Sequence, residues 1–235
     1  MIDVGIPPTL DEEGSMMKVL VVMSSPNKDG LTAACGEAAR QGVVDGRSPA
    51  RLINLNDFDL RRCQICDNGW GPCLTKHRCR LDDDFAQLQD MFAEAEGFVW
   101  VTPVYFGELS ETMKAFFDRL RRCEATKKEK TKSVVADKPT VCVAAAGGTG
   151  NGAVHCLAEM ERLVKQLRGE AVDFIAITQR SCEYQLETIH DALVAMCAAK
   201  TTAPAMPLSA RKKDRPSRRP RRSIRRGRSN PQKNA

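Results

Sequence analysis

The 235-residue chain has a formal net charge of +6, and nearly all of its basicity lies at one end. Residues 211–235 hold 12 of the 36 Lys and Arg and one of the 30 acidic residues, which leaves 24 basic and 29 acidic residues, a net charge of −5, in 1–210. No apolar run approaches the roughly 20 residues of a membrane span, and 1–15 lacks a charged-then-apolar signal pattern. The sequence therefore predicts a soluble cytoplasmic protein without a membrane span.

Composition divides the chain into three regions. We expect a flexible N-terminal extension at 1–16, one domain at 17–200 and a disordered basic tail at 201–235, because the tail has almost nothing apolar to bury. Clustered arginines can bind phosphates, so a nucleic-acid contact by the tail is one interpretation. No aromatic or RNA-binding motif lies among the arginines, which favours a solvated extension without a partner.

Short apolar runs alternate with amphipathic segments along the domain, as in a parallel sheet covered by helices. The pattern predicts strands over 18–23, 51–55, 97–102, 140–145 and 171–177. It predicts helices over 32–44, 84–96, 110–122, 151–168 and 185–199. Five strands linked by right-handed crossovers indicate a doubly wound α/β fold of order 2-1-3-4-5 with helices on both faces.

Ligands of such sheets bind at the carboxyl ends of the strands. The loop after the first strand contains Ser24, Ser25, Asn27 and Gly30, and Leu31 and Thr32 open the next helix. Hydroxyls and free amides at a helix N-terminus form an anion site, although an ordinary capped turn is the alternative. The loop matches neither a Walker P-loop nor a dinucleotide fingerprint, which disfavours nucleoside triphosphates and dinucleotides.

Two further loops carry aromatic side chains or glycines, whose backbone a ligand can approach closely. The third strand ends in Pro103, Val104, Tyr105, Phe106 and Gly107, where we expect a sharp bend. The fourth strand is followed by a glycine-rich loop consisting of Ala146, Gly147, Gly148, Thr149 and Gly150. Core packing is the alternative for the two aromatic residues. For the charges of the following helix, Lys114, Asp118 and Arg119, a solvated helix face is the favoured interpretation.

The segment PVYFG followed by S-x-x-x-K-x-x-x-D-R resembles the flavin loop and helix of the NADPH-dependent FMN reductase and iron–sulfur flavoprotein superfamily. SSPNKDGLT resembles the phosphate loop of that family, with Ser24, Asn27 and Leu31 where Gly, Arg and Asn are usual. The resemblance covers about 17–200. It implies a flavodoxin-like fold with FMN bound by the three loops. We assign no catalytic side chain, because in this family the flavin carries the chemistry.

A four-cysteine insert occupies 57–84, with Cys63, Cys66, Cys73 and Cys79 in the spacing C-x2-C-x6-C-x5-C. Glycine and proline between the cysteines let the chain wrap around a metal or a [4Fe–4S] cluster. A structural zinc site and free or reversibly paired thiols are the alternatives. Iron–sulfur flavoproteins have a cysteine motif here, before a D-D-x-[FL] helix start, but their usual spacing is C-x2-C-x2-C. The lone His77 is a spare candidate ligand.

Five other cysteines lie in helix or strand patterns, and we expect them to be reduced. They are Cys35, Cys123, Cys142, Cys156 and Cys197, and the state of Cys182, in a loop, is left open. The leading hypothesis is an FMN-dependent oxidoreductase that passes electrons from NAD(P)H, or from a ferredoxin-type donor, through the flavin and a cluster to a small-molecule or protein acceptor. The alternatives are a cluster-free NAD(P)H:quinone or FMN reductase and a non-catalytic flavodoxin-like carrier or redox sensor. The family resemblance also implies a homo-oligomer.

Overall fold

The alternating apolar runs form a six-stranded sheet. The structure is a computed structural model, and it describes residues 16–127 and 132–201. The strands are β1 Val19–Met23, β2 Ala50–Asn54, β3 Gly97–Tyr105, β4 Glu108–Leu109, β5 Pro139–Ala146 and β6 Glu170–Thr178. The helices are α1 Leu31–Asp45, α2 Pro72–Thr75, α3 Phe85–Glu94, α4 Glu111–Glu124, α5 Ala153–Gln166 and α6 Cys182–Thr201.

Five of these strands are parallel in the order β2-β1-β3-β5-β6. This is the predicted order 2-1-3-4-5 with one short strand added, because β4 pairs antiparallel with the end of β3. The predicted doubly wound fold is therefore confirmed.

Side chains alternate between the two faces of the sheet, and each face has its own apolar core. On β1, Leu20 and Val22 pack beneath α3, α4 and α5, whereas Val19 and Val21 pack beneath α1 and α6. The α1–α6 pair is tight: a Cβ added to Gly42 would lie 2.3 Å from the carbonyl oxygen of His190. Both faces of the sheet are therefore covered, as parallel sheets require.

The sharp bend expected between Pro103 and Gly107 lies at the Gly107 end only. Pro103 lies within β3, paired with Ala145 of β5, and the chain reverses later, at Phe106 and Gly107. These two residues have φ values of 52° and 87°, the left-handed pair of a two-residue hairpin turn. The pairing of β3 with β1 ends at Val101. Pro103 therefore needs no N–H for a hydrogen bond to β1, and proline is tolerated there.

The remaining expectations concern chain ends and membranes. Residues 1–15 and 202–235, and with them nearly all of the predicted extension and basic tail, lie outside the described residues, so these region boundaries stay predictions. Across 16–127 and 132–201, no helix has the length and apolar character to cross a membrane.

Candidate functional site

The first loop is shaped by side-chain hydrogen bonds. Ser25 Oγ accepts from the amide of Asn27 at 3.2 Å, and Asn54 Nδ2 donates to the carbonyl of Ser25 at 2.8 Å. Gly30 caps α1 without a side-chain hydrogen bond. The first amides of a helix have no intrahelical acceptor, so the amide groups at the start of α1, including that of Leu31, can receive an anion.

Ser24 has a different role from its neighbours. Its side chain is fully buried, and its hydroxyl accepts from Ser110 Oγ at 2.7 Å and donates to Thr102 Oγ1 at 3.3 Å. Thr102 Oγ1 in turn donates to the carbonyl of Pro103 at 3.0 Å. Ser110 caps α4 by accepting from the amide of Met113. This hydroxyl chain connects the first loop to the hairpin. The roles of Thr102 and Ser110 in it could not be recognised from the sequence, because their partners are distant in the chain.

The hairpin touches Gly152, which follows the glycine-rich loop and caps α5. A Cβ added to Gly152 would lie 2.3 Å from the Cα of Gly107, so the two backbones are in direct contact. Phe106 at the hairpin tip is fully exposed, and Tyr105 beside it is 36% exposed. Together with the first loop, these segments form one rim at the carboxyl ends of β1, β3 and β5.

The glycine-rich loop leaves free space at its start. A Cβ added to Gly147 or Gly148 would meet no heavy atom within 4 Å. Gly150 is different, because its added Cβ would lie 2.7 Å from the methyl group of Thr178, at the end of β6. Thr178 and Ser181 form a reciprocal capping pair there. The end of β6 therefore supports the loop, a contribution that the sequence analysis missed.

The four cysteines of the insert come together around one small cavity of about 20 Å³. Each of the four is partly exposed and forms no disulfide. Arg119, Arg122 and a fifth cysteine, Cys123, also line this cavity from α4. Burial, followed by the charges of Cys79 and Cys73, raises the pKa of Cys123 to about 12, which keeps it a neutral thiol.

The four cysteines do not form a ready ligand set for a single ion. In the part of the chain that the structure describes, no three Cys, His, Asp or Glu side chains lie close enough to hold one metal ion. A tetrahedral zinc ion needs four sulfurs at about 2.3 Å from the metal. The cavity therefore does not present a preformed zinc site. His77 does not line this cavity, and its Nδ1 bonds to Thr126 Oγ1 at 3.2 Å.

The insert is fastened to α4 and α3 by polar contacts. Arg122 donates to the carbonyl of Gly69, and its guanidinium lies 5.1 Å from the centre of the Trp70 ring. Gln89 Nε2 of α3 donates to the carbonyl of His77 at 2.9 Å. The position of the cysteines is therefore set by protein contacts.

The solvated helix face expected for Arg119 is wrong. Its side chain is only 1% exposed and forms two hydrogen bonds with Asp83, at 2.6 and 2.7 Å. Burial raises the pKa of Asp83, but hydrogen bonds from Arg119 and from the backbone of Arg61 lower it more, so the net shift is downward. Lys114 and Asp118 do form the expected exposed pair, at 2.7 Å. Arg119 faces inward because the insert covers this part of α4.

The family model described as NADPH-dependent FMN reductase matches residues 17–196. An iron–sulfur flavoprotein of Methanocaldococcus jannaschii is 30% identical over 105 residues, which is 45% of this chain and 52% of that protein. An iron–sulfur flavoprotein of Archaeoglobus fulgidus is 33% identical over 105 residues, 45% of this chain and 49% of that protein. The chain thus matches about half the length of these curated relatives.

Solved structures share the fold at low sequence identity. An NAD(P)H:quinone oxidoreductase from Methanothermobacter marburgensis superposes with a TM-score of 0.61 at 16% identity, covering 77% of this chain and 98% of that one. A flavodoxin from the domain Archaea gives a TM-score of 0.53 at 14% identity, covering 79% of this chain and all of that one. These likenesses agree with the observed strand order.

Proposed function

Since this chain belongs to the NADPH-dependent FMN reductase family, we propose that it is an FMN-dependent oxidoreductase that receives electrons from NAD(P)H and holds a [4Fe–4S] cluster on its four-cysteine insert. The observation that carries the proposal is that three ligand-type loops meet at one edge of the sheet. Helix α4, which begins at this edge, also lines the cavity of the four cysteines. A flavin exchanges electrons with nicotinamides in pairs, and a cluster exchanges them singly.

The first loop would hold the FMN phosphate. Ser25, Asn27 and the amides of Leu31 and Thr32 surround the open N-terminus of α1, where the helix dipole favours negative charge. Asn27 brings no positive charge, so binding relies on hydrogen bonds and the dipole. The buried Ser24 would hold this loop in position without contacting the phosphate, since its hydroxyl already bonds to Ser110 and Thr102.

The hairpin and the glycine-rich loop would hold the isoalloxazine ring. Tyr105 and Phe106 offer exposed aromatic faces at the hairpin tip. The open space in front of Gly147 and Gly148 lets the backbone amides approach a flat ring closely. These features fit a planar, partly apolar cofactor with one anionic end.

The insert suits a cluster in its donor set and its charge. Four cysteine thiols surround one cavity, and a [4Fe–4S] centre requires four thiolates. The guanidinium groups of Arg119 and Arg122 line the same cavity and would offset the negative charge of the thiolates. Because the curated relatives are named iron–sulfur flavoproteins, we favour the cluster over zinc.

Anaerobic purification with metal analysis tests the cluster. We expect bound FMN together with about four iron and four sulfide per chain, and a broad visible band that dithionite bleaches. Cys66→Ser should lose the iron, whereas Cys182→Ser, outside the insert, should retain it. Zinc in place of iron, or neither metal, would show that the cluster assignment is wrong.

Stopped-flow mixing with NADH and NADPH tests the reductase activity. Rapid bleaching of the bound FMN by either nicotinamide supports an NAD(P)H-linked oxidoreductase. Bleaching only by a reduced ferredoxin-type protein would instead indicate an electron carrier. FMN reduction in a protein without iron would favour the cluster-free quinone or FMN reductase.

We also propose that the protein forms a homo-oligomer. The fully exposed Phe106 at the rim of the flavin loops would be covered by a second copy of the chain. Light scattering of wild-type protein and of Phe106→Ser tests this. A dimer or larger species that Phe106→Ser weakens supports the proposal, and a monomeric wild-type protein contradicts it.

A further inference from the structure

Arg119 is held rigidly on the inner side of the cysteine insert. Its guanidinium makes two hydrogen bonds with Asp83 and donates from Nη1 to the carbonyl of Arg61 at 2.9 Å. It also lies 4.2 Å from the centre of the Phe85 ring. With 1% of the side chain exposed, this positive charge has one position relative to the insert.

One donor of Arg119 is left over. Its Nε–H is buried and has no hydrogen-bond partner among the described residues. Arg119 lines the cavity of the four cysteines, and its guanidinium lies within hydrogen-bonding reach of Cys79. Buried donors are nearly always satisfied in proteins, so a free Nε–H at the edge of four sulfurs points to a sulfur acceptor on the side of Cys79.

We propose that Arg119 is a positioning residue that raises the reduction potential of the iron–sulfur centre, by placing its charge and its Nε–H against the sulfur atoms around Cys79. This inference rests on the proposed [4Fe–4S] cluster. If the cluster is bound, one electron from the reduced flavin would add one negative charge next to the guanidinium, with no bond broken. Hydrogen bonds to the sulfurs and nearby positive charge both favour the reduced form.

The charge of Asp83 does not cancel this effect. Arg119 is one of the residues that line the cavity, whereas Asp83 is not. The centre therefore faces the positive end of the ion pair. Arg122 faces the same cavity, but its Nη1 is used by the carbonyl of Gly69 and its guanidinium packs against Trp70.

The alternative role of Arg119 is purely structural, as the buried ion pair that fastens the insert to α4. Removing Arg119 alone would leave Asp83 as an unpaired buried charge and could unfold the protein. Two variants avoid this outcome. Arg119→Lys keeps a charge for Asp83 but lacks the Nε–H donor, and Arg119→Gln with Asp83→Asn replaces the ion pair by a neutral amide pair.

The experiment is a spectroelectrochemical titration of the anaerobic holoprotein. We expect the double variant to weaken electron uptake by the cluster at least tenfold, a midpoint shift of about 59 mV to more negative values. Arg119→Lys should shift in the same direction by less. The FMN midpoint in the same sample is the internal reference. Arg121→Gln, which removes an equal charge from a residue of α4 that does not line the cavity, should leave the cluster midpoint unchanged.

Each other outcome overturns the inference in a recognisable way. Unchanged cluster midpoints in both Arg119 variants, with iron content intact, leave Arg119 a purely structural role. Loss of iron from both variants, but not from Arg121→Gln, shows that Arg119 holds the insert together and does not tune it. Wild-type protein without iron and sulfide refutes the proposed cluster, and the inference with it, before any variant is compared.

Discussion

The hydroxyl of Ser110 donates a 2.7 Å hydrogen bond to the hydroxyl of Ser24, which joins the first turn of α4 to the end of β1. The two residues are 86 positions apart in the chain. Both side chains are buried, so the bond is not exchanged for water. The first loop and the hairpin, which we propose to hold the phosphate and the ring of FMN, are therefore fixed to each other by this bond.

Ser110→Ala should destabilise the protein and weaken FMN binding. The change removes the cap of α4, which costs about 0.5–2 kcal/mol, and leaves the Ser24 hydroxyl without its donor. Urea denaturation of the apoprotein and FMN titration measure the two effects. Thr188→Ala is the control, because its hydroxyl bonds only within α6. Unchanged FMN affinity in Ser110→Ala would contradict the positioning role of this bond.

Gly147→Ala should lower FMN affinity without changing the stability of the apoprotein. The added Cβ meets no protein atom within 4 Å, so the unfolding free energy of the apoprotein should stay within about 0.5 kcal/mol of wild type. If the isoalloxazine ring lies against this loop, FMN affinity should fall at least tenfold. Wild-type FMN affinity in this variant would show that the ring binds elsewhere.

Gly42→Ala should destabilise the contact between α1 and α6. Its Cβ would lie 2.3 Å from the carbonyl oxygen of His190, a backbone atom that cannot move independently of its helix. Overpacking of this kind costs about 1–3 kcal/mol, more than the roughly 1 kcal/mol that alanine gains over glycine in a helix. Thermal and chemical denaturation measure the loss.

Gly36→Ala on the same helix is the matched control for Gly42→Ala. Its added Cβ would lie 3.2 Å from the sulfur of Met23 and 3.3 Å from a methyl group of Leu52, both parts of flexible side chains. We expect its stability to equal or exceed that of the wild type. Equal losses in the two variants would mean that helix packing does not distinguish these positions.

His190 should make stability depend on pH near neutrality. Hydrogen bonds to Asp45, and then to Asp191, raise the pKa of His190 above its ordinary value. Its stabilising effect is therefore complete below the pKa of the unfolded state, about 6.5, and is lost as pH rises through the higher folded value. The stability difference between wild type and His190→Gln should be larger at about pH 5.5 than at about pH 8.5.

Asp83→Asn should be among the most damaging single changes in the insert. It leaves the buried guanidinium of Arg119 without its carboxylate, and breaking a buried pair costs about 3–5 kcal/mol. The pKa of Asp83 is lowered in the folded protein, so its contribution is present at neutral pH and is lost as pH falls through that value. Asp82→Asn, one residue away, is the control. Equal stability of the two variants would mean that the pair contributes nothing.

The sequence was sufficient for the fold because the relevant signals are local. Continuous apolar runs such as 140–145 are typical of strands buried on both faces, and the helices between them limit the possible strand orders. The exception is Pro103, whose local preference indicates a turn. Its place in β3 depends on pairing with Ala145, a partner more than 40 residues away that periodicity does not reveal.

Part of the candidate site could likewise be predicted from the sequence, and part could not. The glycines, hydroxyls and cysteines could be recognised from spacing, since each loop carries its own pattern. The partners of these residues could not. Arg119 resembles a solvated helix charge until the insert folds over it, and Cys123 reads as an ordinary helix cysteine although it lines the cavity of the other four.

By itself, the sequence determined the fold class, the edge of the sheet that carries the loops and the identity of the four candidate ligands. Each follows from local periodicity or from spacing along the chain. The tertiary structure alone decided which polar groups meet: Ser24 with Ser110, Gly107 with Gly152, and Arg119 with Asp83 beside Cys79. These contacts join segments distant in the chain, and only the packing of helices on the sheet brings them within hydrogen-bonding or van der Waals distance.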